Sequence, residues 1–213
     1  MPLPVSDEPR LVGAARDPDL RRVAVVGVSG VGKSTAARRL GRILRVDLIQ
    51  VDRLRRQVGA NDDRLLARIA ELTLRARWVF DGTGWIWVGG KRGAPIGPVF
   101  DGATAILWLN YSSAVIWWRY VKRLREWLGP KRSGPWRESL AVKRMLRRIV
   151  RIDQLSVRRR RYGVFFEGLD NAAAILEFRH PRELEAFLRR LESRRPPAAR
   201  ESADGLEGPG VGG

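Results

Sequence analysis

Residues 22–35 read RVAVVGVSGVGKST, an apolar run that ends in a glycine-rich turn and delivers a lysine and two hydroxyls into a helical pattern. Few architectures can hold such a segment. The valine-rich run has the β-branched composition of a strand buried on both faces, and TAARRLGRIL after it places apolar residues at helical spacing. The turn between them, Gly27, Val28, Ser29, Gly30, Val31, Gly32, Lys33, Ser34 and Thr35, satisfies G-x-x-x-x-G-K-[ST] in the strand-to-helix context that pattern requires. Glycines there let backbone N–H groups turn inward on an anion, and the helix N-terminus adds partial positive charge. In such a cradle Lys33 reaches the β- and γ-phosphates of ATP and the Ser34 hydroxyl ligates Mg²⁺. A turn that binds nothing would leave these residue types without a duty.

The rest of the chain repeats the alternation. Short apolar runs near Arg22–Val26, Asp47–Val51, Trp78–Asp81, Ala103–Leu109 and Ala173–Phe178 predict strands. Between and after them, helical patterns lie near Lys33–Leu44, Asn61–Arg75, Ser113–Leu128, Trp136–Tyr162 and Pro181–Leu191. This is the signature of an α/β three-layer fold, a parallel sheet of five strands covered by helices on both faces. One domain is expected over residues 21–193. Residues 1–20 and 194–213, rich in Pro, Gly and charge, are expected to be disordered arms. The run GPKRSGP separates two long helical patterns and predicts a small lid over about residues 128–137.

Phosphate chemistry with a metal also needs an acid at the end of a neighbouring strand. Asp81 closes WVFD and Asp52 closes DLIQVD. Strand ends share the rim where open α/β sheets bind their ligands. Asp81 reads as a metal-site residue or as a turn aspartate before Gly82, and Asp52 is equally open.

Other phosphate-cradle classes are excluded by what the sequence lacks. Asp81-Gly82-Thr83-Gly84 fits a D-x-x-G element, but no N-K-x-D guanine-recognition element follows, and no LSGGQ signature occurs. The compact small-molecule kinase class remains. The chain resembles the adenylate-kinase-like kinases, and within them the DNA topology modulation (FlaR-type) family, over about residues 22–192. The resemblance is carried by RVAVVGVSGVGKSTAARRLG, IQVD, WVFDG, ATAILWLN leading into WWRYVKRLR, and ILEFRHPRELEAFL. It implies that Asp81 lies near Mg²⁺ and Asp52 on the acceptor side. It also implies that Arg119 and Arg123 neutralise the transferring phosphoryl group beside Lys33, and that Arg179 packs on adenine. Where the family has D-x-P-R after the fourth strand, this chain has Asn110-Tyr111-Ser112-Ser113, and the stretch Gly84–Gly90 also departs from the pattern. Both departures fall on the side where an acceptor is gripped.

Composition narrows the partners. Lys+Arg number 41 against 23 Asp+Glu, a net charge of +18, which points to nucleotides, a phosphate- or hydroxyl-bearing small acceptor, and weak unspecific nucleic-acid binding. Nearly all of that charge is arginine, which suits phosphate contact and also follows from a GC-rich coding sequence. With no cysteine and one histidine, His180, thiol chemistry and a histidine metal cluster are excluded. Arg158–Arg161 is read as the end of a long helix, either a solvated face or a phosphate contact. Trp78, Trp108, Trp117 and Trp118 are expected in the core; Trp85 and Trp87 are read as buried or stacked on a ring. The N-terminus has no secretory pattern and Ala103–Val121 is interrupted by polar residues, so a cytoplasmic monomer or small oligomer without membrane attachment is expected.

Overall fold

The computed structural model of the chain describes residues 8–12, 18–59, 61–85, 95–128, 153–169 and 173–194. Along these run β1 (Arg10–Val12), β2 (Arg22–Gly27), α1 (Lys33–Leu44), β3 (Leu48–Gln50), α2 (Val51–Val58), α3 (Asp62–Thr73), β4 (Trp78–Asp81), α4 (Gly97–Gly102), β5 (Ala105–Leu109), α5 (Ser113–Leu128), α6 (Asp153–Glu167), β6 (Ala174–Phe178) and α7 (Pro181–Ser193).

The sheet order is β1-β6-β5-β2-β4-β3. Strands β3, β4, β2, β5 and β6 are parallel to one another, as expected. Where five strands are expected, the sheet has six among the described residues: Arg10–Val12, within the segment assigned to a disordered arm, pairs antiparallel with β6. The uniformly apolar runs predict their own location, since β4, β5 and β6 are buried at every position and β2 from Val23 onward. Helices therefore cover both faces of the sheet. On one side α1 and α7 are tied by Arg39, whose guanidinium donates to Glu192 (2.8 and 2.9 Å) and Glu185 (2.6 Å). On the other, Phe100 of α4 meets Phe165 and Phe166 of α6 edge-on.

Local chemistry sets the helix ends. Asn61 accepts from the Arg64 N–H at 2.8 Å and starts α3. His180, the single histidine, does the same for α7 through Nδ1 and the Arg182 N–H (3.2 Å), with Pro181 at the first helical position. Two helices were not expected. In α2, helix replaces strand inside the continuous run LIQVDRL, and α4 is a six-residue turn of helix bounded by glycines. Of the expected helix Trp136–Tyr162, residues 136–152 lie outside the described residues, and the rest continues beyond Tyr162 to Glu167. Among the described residues, no helix is long and apolar enough to cross a membrane.

Register fixes the working rim. Gly27 stands level with Leu109, and Leu109 with Phe178, while Val25 is level with Asp81, and Asp81 with Gln50. The carboxyl ends of all five parallel strands thus lie along one edge, and β2 sits in the middle with β4 and β5 on either side.

Candidate active site

The loop from β2 to α1 takes the shape its glycines permit. Gly27, Gly30 and Gly32 all have positive φ (145°, 86° and 101°), a region that disfavours side chains. Gly27 is further constrained: a Cβ there would stand 2.6 Å from the Leu109 carbonyl oxygen. Between the glycines, Val28 and Val31 turn into the core and anchor the loop, while Ser29, Lys33 and Ser34 stay half-exposed and Thr35 is exposed. Gly32 is the N-cap of α1, and its carbonyl accepts from the Thr35 and Ala36 N–H groups (3.2 and 3.1 Å). The N-terminus of α1 therefore lies at the loop, where its first amides and the helix dipole favour an anion. Lys33 Nζ donates to the Val28 carbonyl at 2.9 Å, folding the lysine back over the loop.

Helix α5 closes the other side. Arg119 Nη1 donates to the Val31 carbonyl (2.9 Å), and a Cβ on Gly32 would stand 3.0 Å from Nη2, so the guanidinium lies directly on the loop. The same guanidinium sits 5.8 Å from the centre of the Tyr111 ring. Burial raises the Tyr111 phenol above its ordinary range, and Arg119 opposes that shift. Tyr120 donates its hydroxyl to the Ser29 carbonyl at 2.6 Å, and its ring fills the space that a side chain at Gly30 would need. Arg123 belongs to α5, but its side chain lies outside the described residues, as do residues 129–137 of the expected lid.

Asp81 ends β4 beside β2, buried, with Gln50 Nε2 donating to its Oδ2 at 3.4 Å. Asp52 requires a correction. The strand stops at Gln50, Asp52 falls in the first turn of α2, and its side chain is exposed. The polar side chain that the end of β3 delivers to Asp81 is Gln50. Among the described residues no group of three or more His, Asp or Glu could hold a metal ion.

On the β5–β6 side, a chain of polar contacts was missed by sequence reasoning. Arg159 Nε donates to Asn110 Oδ1 (2.6 Å), Asn110 Nδ2 donates to Glu177 Oε1 (2.5 Å), and Glu177 Oε2 pairs with Arg179 (3.0 Å). Asn110 and Glu177 are buried, and these bonds offset the cost of placing a carboxylate there. The sequence signal was an acid inside the apolar run AILEF. Arg179 itself is exposed, and its backbone N–H donates to the buried Glu183 at 2.7 Å.

Other expectations change too. Arg158–Arg161 stands inside α6 and does not end it, so Arg159 serves the Asn110 network and the run has no terminal dipole to complement. Tyr162, three residues on, donates to the Thr83 carbonyl at 2.5 Å and fixes the turn after Asp81. Trp85 is held edge-on by Tyr162, Phe165 and Phe100, which favours packing over ring recognition; Trp87 lies outside the described residues. Trp78 and Trp108 are in the core as expected, but Trp117 and Trp118 face outward, 43% and 58% exposed.

No family model matches the chain, and no curated protein does. Among solved structures it is similar to a shikimate kinase from Acinetobacter baumannii in complex with shikimate (17% identity, 81% of this chain and 90% of that one, TM-score 0.42). It is similar also to a gluconokinase from Sinorhizobium meliloti 1021 (19% identity, 82% and 94%, TM-score 0.42). A third is the YorR protein from Bacillus subtilis in complex with phosphorylated GDP (16% identity, 82% and 98%, TM-score 0.48).

Proposed function

We propose that the chain is an ATP-dependent kinase that transfers the γ-phosphoryl group to a nucleotide or another small phosphate- or hydroxyl-bearing acceptor. One observation carries the reading: Lys33 and Arg119, from different elements, both converge on a glycine loop at a helix N-terminus, with the buried Asp81 on the adjacent strand end. A helix N-terminus and two cations suit a polyphosphate, and an acid at the end of the adjacent strand suits its metal.

Each residue then has a task. Backbone amides between Gly27 and Thr35 bind and orient the phosphates, and Lys33 neutralises charge on the transferring group. Ser34 and Asp81 would hold Mg²⁺, which when bound draws charge from the phosphate oxygens. Gln50 orients the Asp81 carboxylate. Arg119, and Arg123 on the same helix, act on the phosphoryl group from the α5 side, and Arg179 borders the base. Asp52 serves on the acceptor side, where its exposure leaves it free to meet an incoming hydroxyl. The resemblance to the FlaR-type family belongs to the same reading, as does action in the cytoplasm as a monomer or small oligomer. The net charge of +18 favours a second reading, an ATPase that associates with nucleic acid.

A turnover screen tests the first reading: purified protein, ATP and Mg²⁺ against nucleoside monophosphates and small hydroxyl metabolites, with and without DNA. Acceptor-dependent ADP release is expected. ADP release that depends on DNA and on no small acceptor would promote the second reading, and no ADP release in any arm would leave a nucleotide binder.

A further inference from the structure

We infer that Tyr120 is the positioning residue that aims the phosphate-binding amides of the loop. The inference rests on the phosphate cradle proposed above and not on transfer to an acceptor. In a trans peptide the C=O of one residue and the N–H of the next point in opposite directions, and the chain has no cis bond among the described residues. A donor that holds a loop carbonyl therefore fixes the plane of that peptide and with it the direction of the following amide. Three side chains do this here: Lys33 on Val28, which the Val31 N–H also holds at 3.4 Å, Tyr120 on Ser29 and Arg119 on Val31 (2.9, 2.6 and 2.9 Å), which fixes the peptide planes that carry the amides of Ser29, Gly30 and Gly32.

These three donors are not equivalent. Lys33 and Arg119 carry charge, so an arriving phosphate competes with the carbonyls for them. Tyr120 has no net charge to draw it toward the phosphate, and its buried ring keeps the hydroxyl on Ser29. Tyr120 is also the one set most firmly, being 3% exposed with its ring packed against Gly30, where a Cβ would overlap it. When the two cations turn to the phosphate, Tyr120 is what keeps the Ser29–Gly30 peptide oriented. Because Tyr120 follows Arg119 in α5, the helix that supplies the arginine also sets the loop it serves.

The test is Tyr120→Phe, which keeps the ring and its packing and removes only the hydroxyl. Binding of Mg²⁺-tripolyphosphate probes the cradle alone, and adenosine probes the base side alone, both by calorimetry. The variant is expected to bind tripolyphosphate about tenfold more weakly, the usual scale for stranding one carbonyl partner, with adenosine affinity and melting temperature near wild type. A downfield shift of the Gly30 amide resonance on adding tripolyphosphate should shrink in the variant. Equal tripolyphosphate affinity in variant and wild type would overturn the inference, as would parallel losses for both ligands. If wild type and Lys33→Ala alike failed to bind tripolyphosphate, the cradle itself would be refuted, and Tyr120's role with it.

Discussion

Replacing Arg119 by alanine separates ground-state from transition-state work at this site. The substitution removes a donor 2.9 Å from the Val31 carbonyl and the cation lying on Gly32. In the ground state the loss is one side-chain bond to a half-exposed loop, about 1 kcal/mol, or roughly fivefold in nucleotide affinity. In the transition state charge spreads over the equatorial oxygens of the transferring group, and removing a donor aimed there costs about 10²–10³ in kcat. Arg119→Ala should therefore lower kcat by about 10²-fold while the Kd for ATP rises by less than tenfold, and Arg119→Lys, which keeps charge but loses the planar fork, should fall between. The assay is coupled ADP release at saturating ATP with the acceptor found by the turnover screen, and Kd by calorimetry. The competing account is that Arg119 is an exposed helix arginine whose contacts only tidy the loop. A kcat within about threefold of wild type would establish that account and remove α5 from the transfer chemistry.

Three further outcomes are expected. Lys33→Ala should lower phosphoryl transfer by orders of magnitude with its melting temperature preserved, since the lysine is half-exposed and outside the core; this is read by steady-state kinetics and thermal melts. Asp81→Asn should raise the Mg²⁺ concentration needed for half-maximal activity and weaken Mg·ATP binding more than metal-free ATP binding, and equal losses would indicate a folding role. Arg39→Ala should cost about 1 kcal/mol at pH 7, measured by urea unfolding. Arg39 holds the Glu192 and Glu185 carboxyls below their ordinary range. A depressed folded-state pKa contributes stability above the unfolded carboxylate value and loses it as pH falls through the folded one, so wild type and variant should converge in acid.

Much of this architecture was legible because uniformly apolar runs have one good use in a chain of this size. RVAVVG, WVFD, AILWL and AILEF are too short and too rich in β-branched and aromatic residues for buried helices, and their alternation with helical patterns implied a parallel sheet. What was hidden depended on contacts distant in sequence or on switches inside a run. Asp52 was placed on a strand end because LIQVD reads as one segment, whereas the helix begins at Val51 and leaves Gln50 to face Asp81. Trp117 and Trp118 were expected inside on hydrophobicity alone, but Ile116 and Tyr120 take the buried face of α5. Neither Tyr120 on Ser29 nor Arg159 on Asn110 leaves a local pattern, since their partners lie 91 and 49 residues away.

The short strand β1 has a consequence for handling the chain. Without it β6 would be outermost, offering a row of unpaired amides and carbonyls to any other polypeptide with a free strand. Arg10, Leu11 and Val12 occupy that row opposite Glu177, Leu176 and Ile175, and Glu8 is held to Arg190 of α7 at 3.0 Å. A version trimmed to begin at residue 18 would keep every residue of the phosphate loop yet expose a sticky margin. Its first symptom should be concentration-dependent self-association, seen by light scattering before any loss of nucleotide binding, and the strand that sticks is the one carrying Glu177, the carboxylate that holds Asn110 and Arg179 in place.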